Sequence, residues 1–164
     1  MFFLKIDLDL HWGFSSRPLR LSKTRDSYLL PPPTTVIGAL SYGYAVTSKL
    51  PEELGESVTS TSELLRKHVV SVNLRVRAPL HHYSDLSRIW WYRSKEKKVK
   101  FDAVALGKTY TSPHRPPTIT AVVVIDLARG LGVKELVTAA YSIARVGAKE
   151  GVASVRGVSY GYAK

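Results

Sequence analysis

Cysteine is absent from this chain, so neither a disulfide nor a thiolate-ligated zinc can staple the fold, and nothing argues for an oxidising compartment. Glutamine is also absent, asparagine occurs once, as Asn73, and methionine once, beside abundant Lys, Arg and Val. Depletion of these thermolabile types points to a thermophilic source. No stretch approaches the roughly twenty apolar residues of a membrane span. The N-terminus, MFFLKIDLDL, alternates and carries Asp7 and Asp9, unlike the unbroken apolar core of a signal peptide. The expectation is a cytoplasmic protein with no membrane partner.

Acidic residues are scarce relative to basic ones: 13 Asp and Glu stand against 24 Lys and Arg, a net charge of +11. An excess this large on a small protein ordinarily faces a polyanion, which puts nucleic acid first among partners. The 164 residues are 45% hydrophobic, enough to bury a core, and a single domain spanning 1–164 is expected.

Alternation and helical spacing divide the chain. From Phe2 to Trp12 the even positions are apolar and the odd ones mostly polar, the signature of a half-buried strand with Trp12 on its inner face. The segment 13–33 holds Arg17, Arg20, Lys23 and Arg25 and four prolines that deny regular pairing, so it is a basic loop. A helix follows, with Thr34 or Thr35 as N-cap and Val36, Ile37, Leu40 and Tyr44 at helical spacing. Gly38 and Gly43 weaken that helix by about 1 kcal/mol each relative to Ala, which implies close backbone approach by a neighbour or a ligand, with packing preferred. Residues 51–67 are a polar connection with a short helical stretch over 62–67, and residues 69–78 alternate as a second strand.

Residues 79–117 are too long for a turn, and a protruding hairpin, or thumb, is expected there. Ile119–Leu127 is a β-branched run apolar on both faces, as in a central strand. Val133, Leu136, Val137, Ala140, Tyr141 and Ala144 predict a second long helix, with Gly147 as its C-cap. VASVRGVSYGYA supplies a fourth strand. The order βαββαβ predicts an α+β, ferredoxin-like fold with an antiparallel sheet, of the type used by RNA-recognition modules.

The cations cluster on the projections. Four sit in the loop 13–33, and the thumb carries eight Lys or Arg against three acids. Within the thumb Trp90, Trp91, Tyr92 and Phe101 are interleaved with Arg88, Arg93, Lys95, Lys97, Lys98 and Lys100, and Arg115 stands near its base. Aromatics for base stacking beside cations for phosphate are the elements of single-stranded RNA binding. A hairpin packing its aromatics on the body with solvated lysines is the plain alternative. The outer side of the first strand, with Asp7 and Asp9, would repel phosphate, so RNA is expected on the projections instead. Gly147, Lys149 and Gly151 form a turn where a cation could meet a phosphate. Gly130–Gly132 lacks the further residues of a nucleotide-binding loop and reads as a turn.

Catalysis without a metal would need one of His11, His68, His81, His82 or His114 as acid or base, and none has a partner legible in the sequence. His81 and His82 are adjacent and point to opposite faces if extended, which argues against joint action or a shared metal. No catalytic residue, metal ligand or cofactor is therefore assigned.

The segment PPPTTVIGALSYGYA, Pro31–Ala45, resembles the proline-rich approach to the first helix in the Cas-five family of CRISPR-associated proteins. WGFSSRPLRLSKTRDSYLLPPP resembles that family's loop after its first strand, and RVGAKEGVASV, Arg145–Val155, its glycine-lysine turn before the last strand. The resemblance implies a RAMP-type ferredoxin-like fold with a thumb, closest to the archaeal type I-A branch. It implies a non-catalytic subunit holding the five-prime handle of CRISPR RNA in a Cascade ribonucleoprotein for antiviral defence. A Cas-seven backbone subunit and a Cas-eight large subunit are its implied neighbours. One branch of the family cleaves precursor RNA itself, so a metal-independent endoribonuclease is the alternative activity. Many relatives continue into a further C-terminal segment. The RNA-binding set expected from the charge pattern and the resemblance is Arg17, Arg20, Lys23, Arg25, Gly38, Arg88, Trp90, Trp91, Arg93, Lys95, Lys97, Lys98, Lys100, Arg115 and Lys149.

Overall fold

A computed structural model describes residues 1–16, 27–51, 53–54, 59–112, 114–127, 130–147 and 151–162, with the backbone alone described at 53, 54, 59, 83–89, 91 and 101–110. The elements follow the order β1 (Phe2–Leu10), α1 (Pro33–Thr47), β2 (Glu53–Leu54), β3 (Thr59–Ser60), α2 (Thr61–Arg66), β4 (Val69–Val76), β5 (His81–Arg93), β6 (Lys98–Thr111), β7 (Thr118–Ile125), α3 (Val133–Tyr141) and β8 (Ala153–Tyr162). Strands β4, β7, β1 and β8 form one antiparallel sheet in that order, while β5 and β6 pair only with each other.

The period-two pattern of β1 sets the core. Phe2, Leu4, Ile6, Leu8 and Leu10 are buried to within 2% of their surface, together with Ile119, Ala121, Val123 and Ile125 of the neighbouring β7. Val36 and Leu40 of α1, Leu65 of α2, and Leu136, Ala139 and Ala140 of α3 close over this face. Each fully buried Leu or Ile contributes roughly 1.5–3 kcal/mol of transfer free energy, so the strand's alternation is the main organiser of the fold. The other face of the sheet carries no helix among the described elements.

The strand's apolar pattern overruns its end. Trp12, expected inside, is 75% exposed, because the chain turns at Gly13, whose φ of +73° and amide bond to the Leu10 carbonyl (3.2 Å) fold it back. Phe14, 1% exposed, fills the place instead.

Helix α1 begins one residue before the expected threonines. Pro33 stands at its first position after Pro32, where a fixed φ and a missing N–H are harmless, so Thr34 and Thr35 fall inside the first turn and no side chain caps the end. Helix α3 ends earlier than expected, at Tyr141 with Ser142 as C-cap, because Ala144 and Arg145 already pair with Ala153 and Val152. Gly147 is thus the left-handed residue of the turn before β8 and not the helix cap. The short hairpin of β2 and β3 is an element that the sequence pattern did not show; α2 matches the expected helical stretch within a residue.

The two glycines of α1 differ. A methyl group at Gly43 would fall 2.2 Å from the Ala139 carbonyl oxygen, so this residue lets α1 and α3 touch backbone to backbone. At Gly38 the same group meets nothing within 4 Å, which corrects the expectation that packing explains it. Gly43→Ala is expected to destabilise the protein by about 1–3 kcal/mol through overpacking, whereas Gly38→Ala stabilises it by up to about 1 kcal/mol through helix propensity. Chemical denaturation of both variants checks this, and equal effects would contradict the assigned helix contact.

Candidate nucleic-acid interface

Antiparallel pairing brings the strand ends that flank the basic segments to one end of the sheet. β1 and β4 finish there, at Leu10 and Val76, and β7 and β8 start there, at Thr118 and Ala153. Three amide bonds of 3.0 Å lock the ends together: Leu10 donates to the Pro117 carbonyl, Arg77 to that of Thr118, and His11 to that of Val152. The roots of the loop after β1, of the hairpin between β4 and β7, and of the turn before β8 are therefore neighbours.

The loop root is pinched. The Ser16 amide donates to Ser27 Oγ at 2.8 Å and the Tyr28 amide to the Ser16 carbonyl at 2.9 Å, with Ser27 buried. Residues 17–26 lie between these bonded positions, so Arg17, Arg20, Lys23 and Arg25 fall outside the described residues, as does Lys149. Their anchors are described. A methyl group at Gly147 would fall 2.9 Å from the Ser15 carbonyl oxygen and 3.8 Å from Thr35 Cγ2. The glycine turn thus touches both the loop root and the first turn of α1, joining three segments far apart in sequence. That helix end carries no acidic residue in its first turn.

The hairpin is a two-stranded ribbon of 13 and 14 residues, about 40 Å long at a strand's rise per residue. Its register pairs Trp90 with Phe101, Tyr92 with Val99 and Arg93 with Lys98. Alternation then sorts the mixed sequence: Trp90 and Tyr92, 69% and 60% exposed, share one face with exposed Val99, while Arg93, Lys98 and Lys100 occupy the other. The side chains of Arg88 and Trp91 lie outside the described set.

Lys95 and Lys97 stand in the turn, where Lys97 adopts a φ of +47°. Glu96 takes part of the charge by pairing with Arg93 and, at 3.1 Å, with Lys100. Among the described residues no carboxylate lies within ion-pair distance of Lys95, Lys97, Lys98 or Arg115.

On the helix-free face of the sheet the two aspartates are engaged. Asp7 accepts from the Thr120 hydroxyl and pairs with Lys5 and Arg77, each at 3.7 Å. Asp9 accepts from Thr118 Oγ1 at 2.7 Å and pairs at 3.3 Å with Arg156, the extra residue where β8 bulges against β1. Such half-exposed pairs contribute little stability each, about 0–1 kcal/mol, but they occupy both carboxylates.

His11 Nε2 is 2.9 Å from Ser154 Oγ and His68 Nδ1 is 3.3 Å from the Asp126 carbonyl, so neither meets a carboxylate that would orient it as a base. His81 and His82 pair across the hairpin with Thr111 and Tyr110. Among the described residues no three His, Asp or Glu gather as metal ligands, and no helix is long and apolar enough to cross a membrane.

A mixed α/β chain with an antiparallel sheet and a long basic hairpin is the class of protein that the geometry defines, and known proteins sharpen it. The chain is 32% identical over its full length to "CRISPR system aCascade subunit Cas5 1" of Saccharolobus solfataricus, covering 67% of that protein. It is also 32% identical, with the same coverage, to "CRISPR-associated protein Cas5 3" of that organism, and 33% identical over 61% of the chain to "CRISPR-associated protein Cas5 2". No family model matches it. Among solved structures a CRISPR protein from Archaeoglobus fulgidus superposes with a TM-score of 0.57 at 20% identity, over 98% of this chain and 64% of that one. This chain belongs to the Cas5 family of CRISPR-associated proteins. It spans about two thirds of the length of Cas5 1, Cas5 3 and the solved Archaeoglobus protein.

Gly147→Ala is expected to cost about 1–2 kcal/mol, since a left-handed φ and the Ser15 carbonyl both oppose a side chain there. Gly130→Ala, equally left-handed at +88° but with open space, is the control and should cost less. Thermal unfolding of the two variants tests the contact, and it is refuted if Gly130→Ala proves the costlier change.

Proposed function

We propose that this chain is a non-catalytic CRISPR RNA-binding subunit of a type I Cascade complex, with residues 1–164 forming one RAMP-type ferredoxin-like domain. The sheet order β8-β1-β7-β4 and the split β-α-β connections support that fold. The five-prime handle of the RNA is held where loop 13–33, the first turns of α1 and the glycine-lysine turn meet. The hairpin acts as a thumb on RNA and on an adjoining subunit. Its neighbours are a Cas-seven backbone subunit and a Cas-eight large subunit, and the assembly is cytoplasmic. The observation that carries this reading is that the roots of the loop after β1, of the hairpin and of the turn before β8 meet at one end of the sheet. The name of the Saccharolobus relative, a subunit of an archaeal Cascade, agrees with it.

Two measurements test the proposal. Replacing Lys95, Lys97 and Lys98 together by Ala should flatten the plot of log affinity against log salt by about 0.7 for each single-strand phosphate that the variant no longer neutralises. An unchanged slope contradicts a role for the hairpin tip. Incubating the pure protein with repeat-derived RNA in chelator should leave the RNA intact. Specific cleavage products would instead establish the metal-independent endoribonuclease reading.

A further inference from the structure

Between α1 and α2 lies an open cleft of about 310 Å³ that the basic segments do not include. Gly38 and Ser41 line it from α1, one helical turn apart, with Tyr42 beside them, and Ser60 and Ser62 line it from the start of α2. Val46 and Leu50 supply an apolar wall, and among the described residues no charged side chain lines it.

Two features of this cleft are unexplained by folding. Ser41 is 2% exposed, and its hydroxyl has no hydrogen-bond partner, an arrangement that natural interiors avoid. Gly38 sits inside a helix, where glycine is unfavourable, yet no neighbour requires its lack of a side chain. Both become useful if something enters the cleft: glycine leaves the space, and the hydroxyl gains a partner. An occupant that uses both must be able to hydrogen-bond and fit a cleft of about 310 Å³. Arg145 lies over the Tyr42 ring, 5.7 Å from its centroid, and sets a cation at the edge. Gly38 is five residues into α1, about 7.5 Å from its N-terminus, and so close to the proposed RNA path.

We propose that this cleft receives one nucleobase turned out from the bound RNA, with Ser41 Oγ hydrogen-bonding its edge and Arg145 near its phosphate. The inference rests on the RNA-binding reading given above. A hydroxyl both donates and accepts, so the site fixes the strand's position more than the identity of the base.

The test uses the full chain and a short synthetic RNA carrying the repeat-derived five-prime segment. Gly38→Leu fills the cleft, and Ser41→Ala removes the hydroxyl without adding bulk. Ser41→Ala should leave the free protein as stable or more stable, yet weaken RNA binding about two- to tenfold. Salt slopes of both variants should stay at the wild-type value, because the same phosphates remain neutralised. Replacing each base in turn by an abasic site should reveal one position that weakens binding to the wild type and costs nothing further in Gly38→Leu.

RNA binding in which no abasic position couples to Gly38→Leu overturns the proposal while leaving the general function standing. Unchanged RNA affinity of both variants, with impaired assembly onto neighbouring subunits, assigns the cleft to a protein side chain and also overturns it. A wild-type chain that binds no RNA at all removes the cleft proposal together with the function beneath it.

Discussion

The register of β1 against both of its neighbours is the constraint on which the rest of this structure depends. A strand paired on both sides cannot shift by one residue without turning its whole apolar set toward solvent, and here that set is Phe2, Leu4, Ile6, Leu8 and Leu10. The same pairing decides which chain ends share an end of the sheet. It brings the loop after β1, the hairpin after β4 and the turn before β8 together, although they are separated by most of the sequence. The charge pattern becomes a candidate site only through this geometry.

Electrostatics and burial then divide the work. A core of Leu, Ile, Val and Phe has no place for unpaired cations, whose desolvation is costly, so the excess charge of a +11 chain is carried on connections. On the sheet's helix-free face Lys5, Arg77 and Arg156 are matched with Asp7 and Asp9. On the hairpin tip one glutamate serves Arg93 and Lys100, which leaves the tip cationic. Pairing of β5 with β6 sets exposed Trp90 and Tyr92 on the face opposite Arg93 and Lys98. A ribbon that presents exposed aromatics and cations suits a strand that stacks with its bases and is neutralised at its phosphates.

Much of this was legible before the fold was seen. The alternation of β1, the β-branched run of β7, the helical spacing of α1 and the long hairpin of β5 and β6 all appear as expected, because each expresses a local period or a composition that needs no tertiary context. The family resemblance read from Pro31–Ala45 and Arg145–Val155 agrees with full-length identity to Cas5 relatives. What failed depended on distant partners. Trp12 keeps the strand's period but lies beyond the turn at Gly13, and Gly147 looks like a helix cap because its true neighbours, Ser15 and Thr35, are more than a hundred residues away. The bare hydroxyl of Ser41 has no sequence signal, since only packing shows which polar group lacks a partner, whereas Gly38 was conspicuous as a helix glycine and only the structure shows that its side is open. The loop arginines and Lys149, prominent in the sequence, lie outside the described residues.

Photocrosslinking of repeat-derived RNA to the intact protein, followed by mass spectrometry of the labelled peptides, tests the central claim most directly. Adducts on the hairpin peptide holding Trp90 and Tyr92 and on peptides from loop 13–33 or the turn at Gly147 are the predicted result. Adducts confined to the helix-free sheet face around Phe3 and Lys5, with none on the projections, would contradict it.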